Sequence, residues 1–479
     1  MDAQSVKALV DAKFDKAAQL ARDIWNYAEL PYEEEKSAAA LIAALEQEGF
    51  SVEKGVADMP TAFVATFQNG EGGLTIGLLG EYDALSSLSQ KAACTVKTPV
   101  CEGAPGHGCG HNLLGAGALA AAVAVKDALV SENKPGKVVY FGCPAEEGAG
   151  SKQFMARAGC FDGVDFCITW HPSTFNEVLT HGSLAIMGAN FAFDGVASHA
   201  GASPHLGRSA LDAVELMNVG CNYLREHVID AARIHYAYSD AGGTAPNVVQ
   251  AHAVVKYEVR APRVSQMKEL FDRVVNVARG AALMTDTKLT VDITMAFSDF
   301  LPNLTLAAVA YDALCEVGAP VWDEADFALA ADMLHTYGET TRKDIHDMLV
   351  QRFPQEDPDA LMARPLHTGI LPFDPNAVSH SPGSTDVGDV SYVVPTAEIH
   401  TATACLGNVG HSWQNTAFSN SSVGEKGMRA AAQAMALTCL RIAENPDVLT
   451  KAWDELKKKN GGGYVCPLPD EVTPPVGRY

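Results

Sequence analysis

Apolar residues in the first part of the chain alternate between helical spacing and short continuous runs. Residues 7–27 and 37–48 place apolar side chains at helical spacing, which predicts two amphipathic helices. Continuous apolar runs at 74–79, 137–141 and 165–170 have the length of parallel strands that are buried on both faces. Because helices and strands alternate in this way, we expect a doubly wound α/β domain built on a mixed sheet.

The pattern changes at about residue 184, where a second unit begins. Strand-like segments lie at 184–187, 190–193, 248–260 and 288–295, and helical segments lie at 209–227 and 265–284. This order predicts a smaller α+β domain of the ferredoxin-like kind, inserted over residues 184–297. The first domain then comprises residues 1–183 and 298–479.

Residues 322–382 interrupt the second part of the first domain. They are polar, contain several prolines and show only weak helical periodicity. We therefore expect a surface insertion there, of unknown role. Beyond it, residues 426–444 place Ala and other apolar residues at helical spacing, which predicts that the chain returns to the first domain through a long helix.

Composition and charge exclude several classes of partner. The formal net charge is -23 and no cluster of Lys and Arg offsets it, which disfavours nucleic acid and anionic membrane surfaces. The most apolar run, 113–125, is shorter than the roughly 20 residues that a membrane-spanning helix needs, so it predicts a buried helix. The N-terminus has no basic segment followed by an apolar core, and the 11 cysteines show no regular spacing. We expect a soluble, cytoplasmic protein with reduced thiols.

Charged or metal-binding side chains follow each of the three predicted strands of the first domain. Glu81 and Asp83 follow the first strand, Glu146 and Glu147 the second, and His171 the third. An open α/β sheet places its site outside the carboxyl ends of its strands. These side chains are therefore expected to converge on one crevice.

The segment 106–112 reads Gly-His-Gly-Cys-Gly-His-Asn and places Cys109 and His111 two residues apart in a glycine-rich turn. A thiolate and an imidazole both suit a borderline divalent ion, and the glycines let the backbone bend around it through positive φ angles. A lone cysteine is more often a buried core thiol, but the surrounding glycines leave little core to bury this one. We favour a metal-binding loop.

The adjacent carboxylates Glu146 and Glu147 suit two different tasks. Successive side chains of extended backbone point in opposite directions, so one carboxylate can bind metal while the other takes a proton from metal-activated water. Far downstream, His411 is a further candidate ligand, with His400 and His380 as its competitors. Together these residues predict a two-metal hydrolase.

Two other chemistries fit the sequence less well. Gly106-x-Gly108 and Gly115-x-Gly117 resemble parts of a dinucleotide-binding loop, but neither forms a complete G-x-G-x-x-G after a strand. Cys109 paired with a distant histidine would make a nucleophile, but that scheme leaves the paired glutamates without a task.

Six motifs follow one another along the chain. They are Gly-Glu-Tyr-Asp-Ala-Leu at 80–85, Gly-Cys-Gly-His-Asn at 108–112, Cys-Pro-Ala-Glu-Glu at 143–147, Thr-Trp-His-Pro at 169–172, His-Ala-Gly-Ala-Ser-Pro at 199–204 and Ser-Thr-Asp-Val-Gly-Asp at 384–389. Together they resemble the M20 metallopeptidase family, and within it the amidohydrolase branch. The resemblance implies a catalytic α/β domain with a pair of Zn or Mn ions per subunit, interrupted by a lid domain that also forms the dimer.

The same resemblance implies a role for each candidate residue. The expected metal ligands are Cys109, His111, Glu147, His171 and His411. Glu146 is the expected general acid/base, and His199 of the lid is expected to reach the partner subunit's site and steady the oxyanion. Asn247 and Arg260 are expected to hold the substrate's carbonyl and carboxylate, since an arginine fork suits a terminal carboxylate. The alternative for Arg260 is a surface charge at a strand end.

The chain departs from the family pattern at Glu81, where many members carry a ligand histidine. We therefore leave Glu81 outside the expected ligand set. Asp83 is expected to orient a metal-bound imidazole.

The function that the resemblance implies is metal-dependent cleavage of the amide bond in N-acyl or aroyl amino acids, with p-aminobenzoyl-glutamate as the leading substrate. One alternative is a dipeptidase, or a hydrolase of indole-acetyl or benzoyl amino acids. An alternative of another class is a weakly active subunit that supports a related enzyme. A homodimer is the expected assembly, with a homologous partner chain as the other arrangement, and neither nucleic acid nor membrane is expected as a partner.

Overall fold

The computed structural model describes residues 1–376 and 381–477, so His380 lies outside the described residues. The helices are α1 (Ala3–Asp11), α2 (Phe14–Tyr27), α3 (Glu35–Gln47), α4 (His111–Ser131), α5 (Lys152–Arg157), α6 (Ala210–Leu224), α7 (Val264–Thr285), α8 (Leu304–Val317), α9 (Glu324–His335), α10 (Glu339–Arg352), α11 (Pro358–Ala363), α12 (Val387–Val393), α13 (Trp413–Phe418), α14 (Ser422–Ala443) and α15 (Pro446–Lys459). The strands are β1 (Ser51–Lys54), β2 (Phe63–Asn69), β3 (Leu74–Gly80), β4 (Gly136–Gly142), β5 (Phe166–Ser173), β6 (Glu177–Val178), β7 (Ala185–Asp194), β8 (Arg233–Asp240), β9 (His252–Ala261), β10 (Lys288–Phe297) and β11 (Thr396–Ala402).

The larger sheet has the strand order β1-β2-β4-β3-β5-β11-β6. Strands β4, β3, β5 and β11 run parallel to one another, whereas β1, β2 and β6 pair antiparallel with their neighbours. The prediction of a mixed sheet is therefore confirmed. The parallel strands bring their carboxyl ends to one edge of the sheet, where the candidate site lies.

Both faces of this sheet are covered. Leu78 of β3 packs in a hydrophobic core that contains side chains of α4 and α14, whereas its neighbour Leu79 packs in a second core with side chains of α5 and α12. Both leucines are fully buried. Burial on two faces explains why the strand sequences are continuously apolar, and it confirms the doubly wound arrangement.

Helix α4 passes through the first of these cores. Among the described residues it is the one helix long and apolar enough to cross a membrane, yet 83% of its apolar window is buried inside the protein. It is the buried helix that the run at 113–125 predicted.

The smaller sheet is antiparallel, with the order β10-β7-β9-β8. Helices α6 and α7 pack against each other and against this sheet. The chain order β7-α6-β8-β9-α7-β10 is the ferredoxin-like arrangement that the sequence predicted. These elements run from residue 185 to residue 297, and the division of the chain into domains at 183 and 297 stays a prediction.

The structure differs from the sequence pattern at several points. Residues 184–187 and 190–193, expected as two strands, belong to the single strand β7, and β8 coincides with none of the expected strands. Residues 7–27 form two helices, because Lys13 leaves the helical conformation with φ -123° and is the N-cap residue of α2. The segment 322–382, expected as a surface insertion, contains α9, α10 and α11. These helices bury side chains against the loop that follows β11.

Candidate metal centre and active site

The predicted site residues of three parallel strands do meet at one edge of the larger sheet. Glu81 follows the last residue of β3, Glu146 and Glu147 lie in a turn after β4, and His171 lies inside β5. All four side chains line one cavity of about 550 Å³. The convergence that strand order predicted is therefore seen in the structure.

The glycine-rich loop delivers Cys109 and His111 to this edge, with His111 as the first residue of α4. Of the three glycines expected to take positive φ, Gly110 alone does so, with φ 85°. Gly106 serves another purpose, because a Cβ atom there would lie 2.2 Å from the carbonyl oxygen of Leu88. The loop is thus bent at one glycine and closely packed at another.

The structure brings the five expected metal ligands together in two groups. One group is Cys109, His111 and His171, and the other is Cys109, Glu147 and His411. Within each group the candidate ligand atoms all lie within 4.8 Å of one another. Cys109 belongs to both groups, as a ligand shared between two neighbouring ions would.

Two buried atoms in these groups have no hydrogen-bond partner, Nε2 of His111 and Oε1 of Glu147. The ring of His411 lies 3.3 Å from that Glu147 oxygen, within ion-pair range but without hydrogen-bond geometry. Buried polar atoms are rarely left unpaired in proteins. A cysteine sulfur, imidazole nitrogens and a carboxylate that lie this close together, two of them with an unpaired buried atom, are a donor set that fits divalent ions such as Zn or Mn.

Hydrogen bonds fix the orientation of two of the imidazoles. Nδ1 of His111 lies 2.7 Å from Oδ1 of Asp83, and Nδ1 of His171 lies 2.7 Å from the carbonyl oxygen of Pro172. Each ring therefore keeps Nε2 for the site, and Nε2 of His171 lies 3.4 Å from Sγ of Cys109. The interaction expected of Asp83 is present.

The turn that carries Glu146 and Glu147 begins with Ala145 in the left-handed region, at φ 62°. The buried carboxyl group of Glu34 accepts a hydrogen bond from the backbone N–H of Ala145 at 2.8 Å and so holds this turn. Glu146 and Glu147 lie in this turn and not in extended backbone. The alternation of side chains along a strand, which we expected, is therefore not the reason why they point in different directions. They still face different groups, because Glu146 lies 4.0 Å from His111 and Glu147 lies 3.3 Å from His411.

The two glutamates also differ in acidity. Burial, reinforced by the charges of Glu81 and Glu147, raises the pKa of Glu146 well above its ordinary value. Burial would also raise the pKa of Glu147, but its contact with His411 and the charge of His111 outweigh burial and lower that pKa. A carboxyl of raised pKa beside a carboxylate of lowered pKa is the pairing expected for a proton carrier next to a metal ligand.

Glu81, which we left out of the ligand set, forms a third group of ligand-type atoms with His111 and Glu146. Its other oxygen lies 2.7 Å from the ammonium of Lys152, which also pairs with Asp386 at 2.5 Å. Burial raises the pKa of Glu81, but the charges of Lys152, His111 and His171 together outweigh burial and lower that pKa. Nothing in the sequence around Lys152 marks it as a site residue.

The loop that carries His411 is held by the segment expected to be a surface insertion. The hydroxyl of Tyr337 donates to Oδ1 of Asn408 at 2.9 Å and accepts from the backbone N–H of Val409 at 3.0 Å. The N–H of His411 donates to the carbonyl oxygen of Gly108, and His411 takes a positive φ of 52°. The insertion therefore supports a candidate ligand loop, which its weak periodicity did not indicate.

The smaller sheet with α6 and α7, which corresponds to the expected lid, contributes one expected residue to the cavity. Arg260 lines the cavity together with Lys256 and Glu258, all on β9. Its Nε atom is buried without a partner, and the nearest carboxylate, that of Glu258, lies 3.7 Å from Nη2. The guanidinium therefore has one loose ion pair and an unpaired Nε.

His199 and Asn247 do not line this cavity. They lie close to each other on the lid, where His199 bridges to Val248 and the carbonyl oxygen of Asn247 accepts from the N–H of Ala200. The single chain therefore does not bring either residue to the candidate ligand groups.

Comparison with known proteins identifies the same family that the sequence motifs resemble. Residues 77–338 match the sequence profile of peptidase family M20/M25/M40. The chain is 41% identical to one of the subunits of p-aminobenzoyl-glutamate hydrolase of Escherichia coli over 97% of each chain, and 29% identical to the Xaa-Arg dipeptidase of Mus musculus over 94% of this chain and 91% of that one. The fold is similar to that of a dinuclear metal binding peptidase of the M20 family from Bacillus subtilis, with a TM-score of 0.57 and 16% identity over 91% of this chain and 99% of that one.

Proposed function

Because the chain belongs to peptidase family M20/M25/M40, we propose that it is a metal-dependent amidohydrolase whose substrate is p-aminobenzoyl-glutamate. The scissile bond is the amide between the aroyl group and the amino acid. The observation that carries the proposal is the pair of ligand groups that share Cys109, with the proton-carrying Glu146 beside them. The likeness to the E. coli relative over nearly the whole of both chains supports this choice of substrate.

Cys109, His111 and His171 would hold one divalent ion, and Cys109, Glu147 and His411 the other. Such ions polarise a carbonyl oxygen and make bound water more acidic, which is the chemistry that amide hydrolysis needs. Zn and Mn both accept this mixture of sulfur, nitrogen and oxygen ligands. Glu81, clamped by Lys152, would offer at most its second oxygen to this set.

Glu146 carries the proton in this scheme. Its carboxylate takes a proton from the attacking water and returns it to the leaving nitrogen of the amino acid. The raised pKa of Glu146 makes this carboxylate a better proton acceptor than an exposed glutamate. The neighbouring Glu147 is kept ionised by its contact with His411 and stays out of the proton transfer.

Arg260 binds the carboxylate end of the substrate. Its position in the cavity wall and its unpaired Nε leave N–H donors for a forked contact with a carboxylate. This contact places the amino-acid part of the substrate on the lid side and the acyl part on the sheet side.

His199 and Asn247 act on the site of a second copy of the chain. The lid sheet ends in β8, an edge strand that is mostly exposed and carries the exposed side chains of Tyr236 and Tyr238. The neighbouring helix α6 exposes Val219 and Tyr223 as well. An unpaired edge with an apolar flank supports assembly of two lids into a homodimer. The E. coli relative is named as one subunit of its enzyme, so a homologous partner chain is the second arrangement.

A dipeptidase is the second candidate function. The Xaa-Arg dipeptidase relative covers almost the whole chain, and the acidic side chain of Glu258 lies in the cavity wall beside Arg260. Both candidates keep the same metal groups and the same proton carrier.

A location in the cytoplasm fits either candidate function, since none of the 11 cysteines is in a disulfide.

Turnover of p-aminobenzoyl-glutamate tests the proposal. The purified protein is stripped with a chelator and titrated with Mn or Zn, with Xaa-Arg dipeptides assayed in parallel. Metal-restored release of p-aminobenzoate supports the proposed substrate. Cleavage of the dipeptides alone overturns it in favour of the second candidate, and no cleavage by the metal-loaded chain supports the need for a homologous partner chain.

A further inference from the structure

One wall of the cavity is formed by two side chains of β11 that the proposed mechanism does not use. Glu398 and His400 both line the cavity, and Nε2 of His400 lies 2.7 Å from Oε1 of Glu398. The Glu398 side chain is 9% exposed, so its remaining surface is the part that borders the cavity. A buried carboxylate fixed by one partner retains an oxygen that can accept another hydrogen bond.

Strand register places this pair next to the metal groups. In the parallel pairing of β5 with β11, His400 lies beside His171 and Glu398 lies beside Thr169. The rings of His171 and His400 are 5.9 Å apart. Glu398 lies two residues further from the carboxyl edge, about 6.6 Å along the strand at the usual rise per residue. That distance corresponds to the length of a single aromatic ring with a substituent at its far end.

We propose that Glu398, held in place by His400, accepts an N–H from the acyl end of the substrate and selects acyl groups that carry a terminal amine. The ligand class is an aroyl group with an amine opposite its carbonyl. This inference rests on the proposed function, because it takes the scissile amide to lie at the metal groups. It adds a specificity-determining residue on the acyl side, where the sequence offered His400 only as a competing metal ligand.

Opposite charges on two different strands that line the cavity, β9 of the smaller sheet and β11 of the larger sheet, give the substrate one orientation. Arg260 attracts the carboxylate of the amino acid, whereas Glu398 repels a carboxylate and attracts an amine. A substrate placed the wrong way round would set its carboxylate against Glu398 and leave Nε of Arg260 without a partner. An acyl group without an amine would leave the Glu398 oxygen without a donor in the bound state.

The test compares p-aminobenzoyl-glutamate with benzoyl-glutamate, which lacks the amine, in the metal-loaded wild type and in Glu398→Gln. We expect the wild type to favour the amine-bearing substrate in kcat/KM by about 10-fold or more, as for a hydrogen bond to a charged group. In Glu398→Gln the side chain keeps its size, but His400 occupies the one amide oxygen and the NH2 group cannot accept, so this ratio is expected to fall towards one. Glu177→Gln is the matched control, because Glu177 lies beside His400 on β6 but does not line the cavity.

A binding measurement separates this inference from the proposed function. The affinities of the metal-loaded protein for 4-aminobenzoate and benzoate are compared by calorimetry in the same three proteins. Failure to cleave either conjugate overturns the proposed function, while the affinities still decide the role of Glu398. Equal affinity of the wild type for the two acids, or a preference that persists in Glu398→Gln, overturns the inference.

Discussion

His111 and Asp83 lie fully buried against each other, with Nδ1 of the ring 2.7 Å from Oδ1 of the carboxylate. The second oxygen of Asp83 accepts a hydrogen bond from the backbone N–H of Glu147 at 2.8 Å. One carboxylate therefore orients two of the proposed ligands, which reach the site from different segments of the chain.

Replacing Asp83 with Ala is expected to weaken metal binding by about 10- to 100-fold, because His111 loses the partner that fixes its ring. Competition with a chromophoric chelator measures the affinity. Asp162→Ala, in an exposed turn, is the control and is expected to bind metal as the wild type does. Unchanged affinity in Asp83→Ala would show that packing alone orients the ring.

Glu146→Gln is expected to retain both metal ions and to lose turnover by about 100-fold or more, because the amide cannot accept the proton of the attacking water. Metal content after gel filtration and kcat for p-aminobenzoyl-glutamate are measured on the same sample. Near-normal turnover with full metal content would remove Glu146 from the mechanism.

Tyr337→Phe is expected to weaken the binding of one metal ion by roughly 2- to 10-fold, because the phenol hydroxyl makes two hydrogen bonds to the loop that carries His411. The thermal midpoint of the metal-free protein serves to detect a general loss of stability. Tyr27→Phe, at a partly exposed position, is the control. If the midpoint falls and metal affinity does not, the tyrosine serves packing and not the ligand loop.

Glu34→Gln is expected to flatten the pH dependence of stability. Burial, followed by the charge of Asp83, raises the pKa of Glu34 to about 8 from an ordinary value of 4.5. Because the folded state keeps a proton that the unfolded state has released, the stabilising contribution is complete below pH 4.5 and is lost as pH rises through about 8. The wild type should therefore lose roughly 1 kcal/mol per pH unit relative to Glu34→Gln within this window.

Thermal midpoints of the metal-free proteins between pH 5 and pH 9 measure this difference. The exposed neighbour provides the control Glu33→Gln, which should follow the wild type at every pH. Parallel curves for the wild type and Glu34→Gln would mean that Glu34 is ionised in the folded protein.

Mixing two inactive variants tests the role of His199. His199→Ala and Glu146→Gln are each expected to be inactive, and subunit exchange between them is expected to restore part of the activity, because one site of a mixed pair would have both residues in the proposed homodimer. Co-expression with two affinity tags isolates the mixed dimer. Absence of restored activity in a mixed dimer would show that His199 does not act across the interface.

The fold was predictable where burial leaves a clear mark on the sequence. Continuous apolar runs predicted β3, β4 and β5, since both faces of these strands are covered. The polar residues that follow these strands predicted the edge of the sheet at which the site lies. The motif around Cys109 predicted a ligand loop. The positions of these elements in the sheet came from the structure alone, because the register of distant strands is set by contacts that no local pattern records.

The supporting residues of the site could not be predicted. Lys152 pairs with Glu81, and Glu34 accepts a hydrogen bond from the backbone N–H of Ala145. Both contacts join residues that are distant in sequence, so no local spacing marks Lys152 or Glu34. Tyr337 lies in a segment whose apolar residues are divided between two separate clusters, which weakens the helical period. Burial and pairing in three dimensions are what distinguish these residues from ordinary surface positions.

The sharing of Cys109 between the two ligand groups has a consequence for biosynthesis. Cys109, His111 and His171 leave the ribosome before the lid is made, whereas His411 follows only after the lid and the insertion. The nascent chain can therefore assemble one group early, but the second group is completed only when the last quarter of the chain has returned to the sheet. Filling of the second group would then report that translation and folding have both finished.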